Sequence, residues 1–375
     1  MRVIITGGGT GGHVYPALAI GRGLQAARPD IELLYIGTAR GLEADVVPRS
    51  GLPLVTINVR GLDRRRVWKN IPALVKTARG LGEAWLRVQR FHPDAVVGTG
   101  GYVSGPVCLA AALQGIPVIL HEQNAFPGVT NRLLAVLART VCLTFPEAAS
   151  RFPRRTRLVT TGLPVRPEIL QADRENCRRE LGLQPGQLLI LAAGGSQGAR
   201  SLNEALLPLI KDLAGRPDVS LLQVTGRRDY DDYRQQVQAR GIDLDKSGNI
   251  TIKPYIYNME QALAAADLVI GRAGASFLAE ILARGLPSIL IPFPYATANH
   301  QEYNARALAR QGAAKVILDR ELKTGRLYRS VMELLGAREK LQAMATAAAS
   351  LGRPGALEAI VQVVMAAVEH RGRPS

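Results

Sequence analysis

The sequence predicts an α/β protein made of two Rossmann-like domains, and two observations predict it. Strand-like apolar runs alternate with helix-like runs along most of the chain, the pattern of parallel β-α-β units. The pattern then occurs twice. Val3–Thr6 leads into Gly8-Gly9-Thr10-Gly11-Gly12, and Leu188–Ala193 leads into Gly194-Gly195-Ser196-Gln197-Gly198. Each is a strand, two glycines, a hydroxyl residue and another glycine before a helix. Further on, PDAVVGTGGYVSGPVCLAAALQGIPVIL (93–120) parallels ADLVIGRAGASFLAEILARGLPSILI (266–291). Each holds an Asp, an apolar strand, a glycine turn, an Ala/Leu-rich helix and Gly-(Ile/Leu)-Pro before the next strand. Two glycine turns in matching order in each half mark an internal repeat. At 375 residues the chain also exceeds one ordinary domain. In such sheets ligands bind beyond the carboxyl ends of the strands, where all four glycine turns sit.

The first turn contains Gly7, Gly9 and Gly12 and matches G-x-G-x-x-G, the letter pattern of a dinucleotide-binding turn. Such a site also needs an acid at the end of the second strand to hold a ribose. That strand reads as Glu32–Ile36, and Gly37-Thr38-Ala39-Arg40 follows with no acid at its end. Only Arg40, as a partner for a 2′-phosphate, keeps an NADP site open. Pro16 suits a helix start, which sets His13 just before the helix and facing the crevice. A dinucleotide site needs no histidine there; a group-transfer enzyme uses one as a general base.

Between the turns of the first half, residues 60–91 place Val67, Ile71, Leu74, Ala78, Leu81, Trp85 and Val88 on one helical stripe, with Gly80 and Gly82 as weak points. Core packing accounts for the stripe. Trp68, Val75 and Leu86 fall outside it, among Arg64, Arg65, Arg66, Lys69, Lys76, Arg79, Arg87 and Arg90. Apolar groups ringed by cations suit either an anionic bilayer or a solvated helix pair. The candidate membrane patch is Trp68, Lys69, Leu74, Val75, Lys76, Arg79 and Trp85.

HEQNAFPG (121–128) follows a strand read as Pro117–Leu120 and gathers His121, Glu122, Gln123 and Asn124 at the crevice edge. The domain boundary falls near 161–167, where Gly162, Pro164 and Pro167 punctuate the chain after Arg151, Arg154, Arg155 and Arg157, a solvated basic stretch. The domains are expected at 1–162 and 163–349, with a C-terminal helix in about 350–375 packing back on the first. GRAGASFLAE (271–280) sets a glycine turn at a helix N-terminus, suited to a diphosphate, and Glu280 lies where a carboxylate can take a ribose. NHQEYNA (299–305) adds His300, Gln301 and Asn304. Two Asp-x-Asp triplets, Asp229/Asp231 and Asp243/Asp245, read as solvated surface away from every glycine turn, so no metal is expected.

The net charge of +16 favours anionic partners: nucleic acid, lipid head groups or phosphorylated substrates. Aromatic residues make up only 5 %, and no helix-turn-helix or zinc-finger spacing occurs, so nucleic acid is not expected. Cys108, Cys142 and Cys177 fit neither a zinc site nor a disulfide framework. A strand begins within two residues of the N-terminus, and Gly or Pro interrupts the longest apolar runs. The expectation is a soluble or peripheral protein without a signal peptide.

GGTGGHVYPALA, GTGGYVSGP, HEQNAFPG, GGSQGA, GRAGASFLAE and HQEYNA occur in that order along nearly the whole chain. Together they resemble the MurG family of bacterial peptidoglycan glycosyltransferases, far more specifically than any one glycine loop. The resemblance implies a GT-B fold, two Rossmann-like domains with parallel sheets facing across a deep cleft that closes to exclude water. It implies transfer of GlcNAc from UDP-GlcNAc to the 4-hydroxyl of MurNAc in lipid I, giving lipid II with inversion. It implies no cofactor. It also implies peripheral attachment to the anionic cytoplasmic face of the inner (plasma) membrane, with other cell-wall and division proteins as partners. The family's donor contacts fall on Thr10, Gly11, Gly12, Asn124, Arg166 and Ser196, with uracil near Ile256. Ribose and diphosphate fall on Ala275, Ser276, Phe277, Leu278 and Glu280, and GlcNAc on Gln301. The acceptor's pyrophosphate falls on Gly9, Gly100, Gly101 and Tyr102. His13 is similar to the proposed general base, with Glu122 the second candidate. The family's hinge commonly reads G-N-P-V-R; here Leu163 replaces the amide and Arg166 is kept. The alternatives are a UDP-GlcNAc 2-epimerase of the same plan and an inactive regulatory subunit.

Overall fold

A computed structural model describes residues 1–59, 71–195 and 197–369, with the side chains of all but 71–78 and 245. The chain divides into two compact units, Met1–Pro164 with the segment from Gly355 onward, and Val165–Pro354. The first unit holds β1 (Arg2–Thr6), α1 (Gly11–Ala27), β2 (Glu32–Gly37), α2 (Glu43–Arg49), β3 (Leu54–Thr56) and α3 (Ile71–Phe91). It continues with β4 (Ala95–Gly98), α4 (Ser104–Leu113), β5 (Val118–Glu122), α5 (Val129–Leu134), β6 (Thr140–Leu143) and β7 (Leu158–Thr160). The sheet is parallel throughout, in the order β3-β2-β1-β4-β5-β6-β7.

The second unit holds α6 (Pro167–Gln171), α7 (Arg174–Glu180), β8 (Leu188–Ala193), α8 (Arg200–Leu213), β9 (Val219–Val224), α9 (Tyr230–Gln238) and α10 (Leu244–Ser247). Then come β10 (Ile250–Lys253), α11 (Met259–Ala265), β11 (Leu268–Gly271), α12 (Ala275–Ala283), β12 (Ser288–Leu290), α13 (His300–Arg310), β13 (Ala314–Val316), α14 (Arg326–Leu335) and α15 (Arg338–Leu351). The order β10-β9-β8-β11-β12-β13 is again all parallel. In both sheets the strand order reverses between the first strand and the strand carrying the second glycine turn: β1 beside β4, β8 beside β11. The glycine turns therefore sit at each topological switch point, where α/β sheets open a ligand crevice.

Alternation within strands explains the layers. Val3 and Ile5 of β1 face α1, while Ile4 faces α3 and α4, and all three are fully buried. In the second unit Ile190, Ile270 and Ile289 pack with Leu206 and Ile210 of α8 and Val331 of α14. Arg174 and Arg178 of α7 share Asp267 and donate to Ala264, Ala265 and Ala266 O, which satisfies the end of α11.

Residues Arg338–Glu369 are, among the described residues, the one stretch long and apolar enough to cross a membrane by length and composition. Gly352 and Pro354 break it into α15 and a last helix, α16 (Ala356–Glu369). The inward face of α16 (Ile360, Val364 and Ala367) joins the first unit's core beside α1. A Cβ at Gly23 would come within 2.7 Å of Leu357, so α1 needs glycine where α16 crosses it. Ile360→Ala is expected to cost about 2–5 kcal/mol of stability, read by urea denaturation. A loss under about 1 kcal/mol would mean α16 is only loosely docked.

Candidate active site

In the first unit β1 and β4 lie side by side, with Thr6 opposite Gly98, so their turns meet. Gly8 N–H donates to Gly100 O at 3.3 Å. Gly101 (φ +84°) rests directly on the backbone of Gly8, where any Cβ would overlap Gly8 O. Gly9 (φ +86°) donates to Glu43 Oε2 at 3.2 Å. Glu43 was not legible as a site residue. It is fully buried in the first turn of α2, and its Oε1 takes the Thr38 N–H at 3.2 Å and the Thr38 hydroxyl at 2.6 Å. The acid near the second strand thus faces the loop's own backbone. Tyr35 Oη, donating to Gly7 O at 2.6 Å, braces the same loop from β2.

His13 does not precede the helix. The N-cap is Thr10, α1 starts at Gly11, and His13 stands third with Pro16 inside. Thr10 makes no side-chain cap bond, so the α1 N-terminus at Thr10, Gly11 and Gly12 is not closed by a side-chain cap. His13 is half-buried, with Nδ1 2.9 Å from Thr99 O and 3.1 Å from Gln123 Oε1. Thr99 Oγ1 donates to His13 O at 2.8 Å. A Cβ at Gly100 would sit 3.0 Å from the imidazole, so only glycine leaves the ring its place. Tyr102 lies over Gly9, with its hydroxyl 3.4 Å from Thr38 Oγ1.

The strand read as ending at Leu120 runs on through His121 and Glu122, because both pair with β6. Glu122 is consequently 1 % exposed. Its Oε1 accepts from Asn124 N at 3.0 Å and from Asn124 Nδ2 at 3.4 Å. Its Oε2 accepts from Gly128 N at 3.0 Å and from Asn131 Nδ2 at 2.8 Å. These bonds hold the 124–128 turn, which carries Asn124. Leu163, in place of the family's usual amide, is 2 % exposed and belongs to the core. The exposed Arg151 guanidinium stacks 4.3 Å from the Phe126 ring, while Arg154, Arg155 and Arg157 are exposed to solvent.

In the second unit the first glycine turn meets a different neighbour. Gly198 (φ +77°) abuts Thr225 and Gly226 after β9. Asp229 therefore stands three residues from a glycine contact, closer to the loop than the sequence suggested, and pairs with Arg228 at 3.2 Å. Ser196 lies outside the described residues. After β11, a Cβ at Gly271 would fall 2.8 Å from Ala193 O and 2.9 Å from the Phe277 ring. The α12 N-terminus is capped by Gly274 without a side-chain bond, and Ala275 and Ser276 open its first turn. Leu278 is fully buried and its N–H bonds Gly274 O, so its side chain holds α12 on the sheet and presents nothing to a ligand.

Arg166 Nε bonds Glu280 Oε1 at 2.8 Å; the arginine is 51 % and the glutamate 12 % exposed. Burial pushes the Glu280 carboxyl above its ordinary value, and Arg166 works against that shift. Arg166, expected at the donor's sugar and phosphates, and Glu280, expected at its ribose, are thus partners of each other here. Gln301 Oε1 accepts from Ala273 N at 3.2 Å and Phe293 N at 2.9 Å, clipping two strand ends together and leaving its amide nitrogen to donate. Ile256 sits half-buried between Tyr255 and Tyr257, whose rings pack edge-on at 4.9 Å beside Arg227. Arg272, missed in the sequence, donates to Ile291 O, Pro292 O, Asp319 and Ser201 and so pins the second glycine turn.

Of the basic, apolar insertion, Trp68 and Lys69 lie outside the described residues, as do the side chains of Leu74, Val75 and Lys76. α3 runs unbroken through Gly80 and Gly82, and at Gly80 a Cβ would collide with Val59. Ala84 and Val88 point inward, whereas Trp85, placed on the packed stripe by the sequence, is exposed with Leu86, Arg79, Arg87 and Arg90. The described residues contain no group of three or more His, Cys, Asp or Glu arranged to hold a metal ion.

Residues 3–143 match the glycosyltransferase family 28 N-terminal domain and residues 189–360 the family 28 C-terminal domain. A relative from Moorella thermoacetica is 79 % identical over 98 % of this chain and 100 % of its own. It is named UDP-N-acetylglucosamine–N-acetylmuramyl-(pentapeptide) pyrophosphoryl-undecaprenol N-acetylglucosamine transferase. A relative of the same name from Clostridioides difficile is 42 % identical over 97 % of this chain and 88 % of its own. The crystal structure of Acinetobacter baumannii MurG aligns with a TM-score of 0.80 at 33 % identity, covering 97 % of this chain and 99 % of that one. A UDP-GlcNAc 2-epimerase from Neisseria meningitidis shares the fold alone, with a TM-score of 0.66 at 15 % identity, covering 98 % of this chain and 100 % of that one. With both domains matched in order, two parallel sheets as in the GT-B fold and a relative this similar over its full length, the chain belongs to glycosyltransferase family 28.

Proposed function

We propose that the chain transfers GlcNAc from UDP-GlcNAc to the 4-hydroxyl of MurNAc in undecaprenyl-pyrophosphoryl-MurNAc-pentapeptide, converting lipid I to lipid II in peptidoglycan synthesis. The observation that carries this reading is the 79 % identity to the Moorella thermoacetica transferase over nearly all of both chains. The glycine turns and the open α1 N-terminus of the first unit suit the acceptor's pyrophosphate. The Gly194 and Gly271 turns, Arg166 and Glu280 of the second suit UDP. A single displacement at the anomeric carbon inverts configuration and needs no enzyme nucleophile. One base removes the proton of the attacking hydroxyl. The saturated carboxylate of Glu122 supports His13 in that role, since Glu122 has no oxygen left over for a substrate hydroxyl. Backbone N–H groups, helix N-termini and Arg166 receive the charge of the leaving diphosphate, so the reaction is read without a resident metal or other cofactor.

The test is labelled UDP-GlcNAc with a lipid I analogue, followed for lipid II, beside a reaction lacking the acceptor. Product only in the presence of acceptor supports the transferase. UDP-ManNAc formed from UDP-GlcNAc alone would make it an epimerase, and no turnover of either kind would make it a binding subunit.

The net positive charge and the exposed Trp85 and Leu86 among Arg79, Arg87 and Arg90 support peripheral attachment to the anionic cytoplasmic leaflet that carries the acceptor. Other cell-wall and division proteins working at that leaflet are proposed as partners on this reading alone. Trp85→Ser with Leu86→Ser is expected to weaken binding to anionic vesicles about tenfold while sparing turnover of a short-chain, water-soluble acceptor. Unchanged vesicle binding would remove α3 from the membrane contact.

A further inference from the structure

We infer that Gln123 is a positioning residue of the reaction: together with the Thr99 carbonyl it holds His13 with the proton on Nδ1, so that Nε2 is the nitrogen presented to the acceptor hydroxyl. The inference rests on the reading of His13 as base and adds to it a residue with no substrate contact of its own.

The surroundings of Gln123 decide which end of its carboxamide is which. The side chain is 1 % exposed, so water does not compete for its bonds. One end lies 2.8 Å from Thr99 O and 3.0 Å from His121 O, two carbonyl oxygens that only accept. That end is Nε2. Oε1 is then the end facing His13 Nδ1 at 3.1 Å, and Thr99 O faces the same nitrogen at 2.9 Å. Both neighbours of Nδ1 are acceptors, so Nδ1 carries the hydrogen, and the neutral ring keeps a bare lone pair on Nε2. The opposite tautomer would set a nitrogen lone pair against two oxygens.

His121 keeps the carboxamide in place from the other side. Its Nε2 is 3.0 Å from Gly162 O, so that nitrogen donates, and its bare Nδ1 faces Gln123 Nε2 at 3.0 Å, sharing with His121 O and Thr99 O the two N–H groups of that amide. Burial pushes His121 down to about 4, so it stays neutral and its Nδ1 remains an acceptor through the neutral range. The chain of bonds from Gly162 to His13 thus has one consistent direction. When His13 takes the proton on Nε2, the Nδ1–H bonds persist unchanged, and the ring keeps its orientation in both protonation states. The acceptors behind the ring are a carbonyl and an amide, since the nearby carboxylate of Glu122 is committed to Asn124, Gly128 and Asn131.

The tautomer is read directly by long-range 1H–15N NMR on the full chain with 15N-histidine, the His13 signals being assigned by their loss in His13→Asn. The unsubstituted protein is expected to show His13 as Nδ1–H and His121 as Nε2–H, a measurement needing no change at Gln123. His13 found with the proton on Nε2 would overturn the inference. Gln123→Met keeps the volume and removes the carboxamide's bonds to His13 and His121, leaving the Thr99 carbonyl as the remaining acceptor at His13 Nδ1. It is expected to raise the Nε2–H population of His13 and to lower kcat at least about tenfold, with KM for UDP-GlcNAc within about twofold. A Gln123→Met protein with the original tautomer and kcat would also overturn it. A shifted tautomer with unchanged kcat would instead refute His13 as the base while the assignment of Gln123 as its holder stands.

Discussion

His13→Ala is expected to lower turnover by about a hundredfold to ten-thousandfold while UDP-GlcNAc affinity and thermal stability stay near those of the unsubstituted protein. Loss of a general base acts on the chemical step and leaves uniform substrate binding intact, so the change is expected in kcat rather than KM. The half-buried ring contributes little to the core, and Thr99 keeps its backbone bond to residue 13, since that bond uses the main-chain carbonyl. Glu122→Gln is the informative contrast. Each carboxylate oxygen faces backbone and side-chain N–H donors, so a carboxamide would set its own N–H group against one pair of them. That variant is expected to lose about 1–3 kcal/mol of stability, with activity falling in step as the Asn124 turn loosens. Kinetics beside urea denaturation separate the two. Near-wild-type turnover in His13→Ala, with a stable but inactive Glu122→Gln, would transfer the role of base to Glu122.

Gly101→Ala is expected to cost about 2–5 kcal/mol and to abolish most activity. Two effects combine there. The residue has φ +84°, a region where an L side chain is strained, and its Cβ would meet the O, C and N atoms of Gly8, which is backbone and cannot rotate away. Relief requires the two turns of the first sheet to part, and the Gly8–Gly100 hydrogen bond and the seat of His13 part with them. Gly115→Ala serves as the control. It shares a positive φ (+70°) but has nothing within 4 Å of the added methyl, so only the backbone penalty of about 1 kcal/mol applies, without a catalytic effect. Equal losses in the two variants would show that the contact between turns does not shape the site.

The fold was legible because its signals are local. Val3-Ile4-Ile5-Thr6 before a glycine cluster, or Leu268-Val269-Ile270-Gly271 before an Ala/Leu helix, carries strand, turn and helix within a dozen residues. The repeat of such units placed all four turns at strand ends. Boundaries were less legible. β5 extends through His121 and Glu122 because β6 offers ladder partners, which no local pattern announces. The helix carrying His13 starts at Gly11, directly after the extended N-cap residue Thr10 and against the low helix propensity of glycine. Val88 of the periodic stripe packs inward as expected, whereas Trp85 of the same stripe is exposed and Ala84, outside it, takes an inward position.

By itself, then, the sequence determined two doubly wound α/β units, four glycine turns at their switch points and membership in a glycosyltransferase family. It also supplied a short roster of polar residues near those turns. Tertiary structure decided what each of those residues touches. Glu43 reaches back 34 positions to hold Gly9, and Gln123 stands 110 positions from the His13 that it faces. Glu122, an acid in the right motif, is turned inward and fully engaged, while Leu163 fills core space where an amide was expected. The physical reason is that a polar side chain's chemistry follows from its burial and from the donors and acceptors around it. In this chain those neighbours are brought together by sheet order across long stretches of sequence.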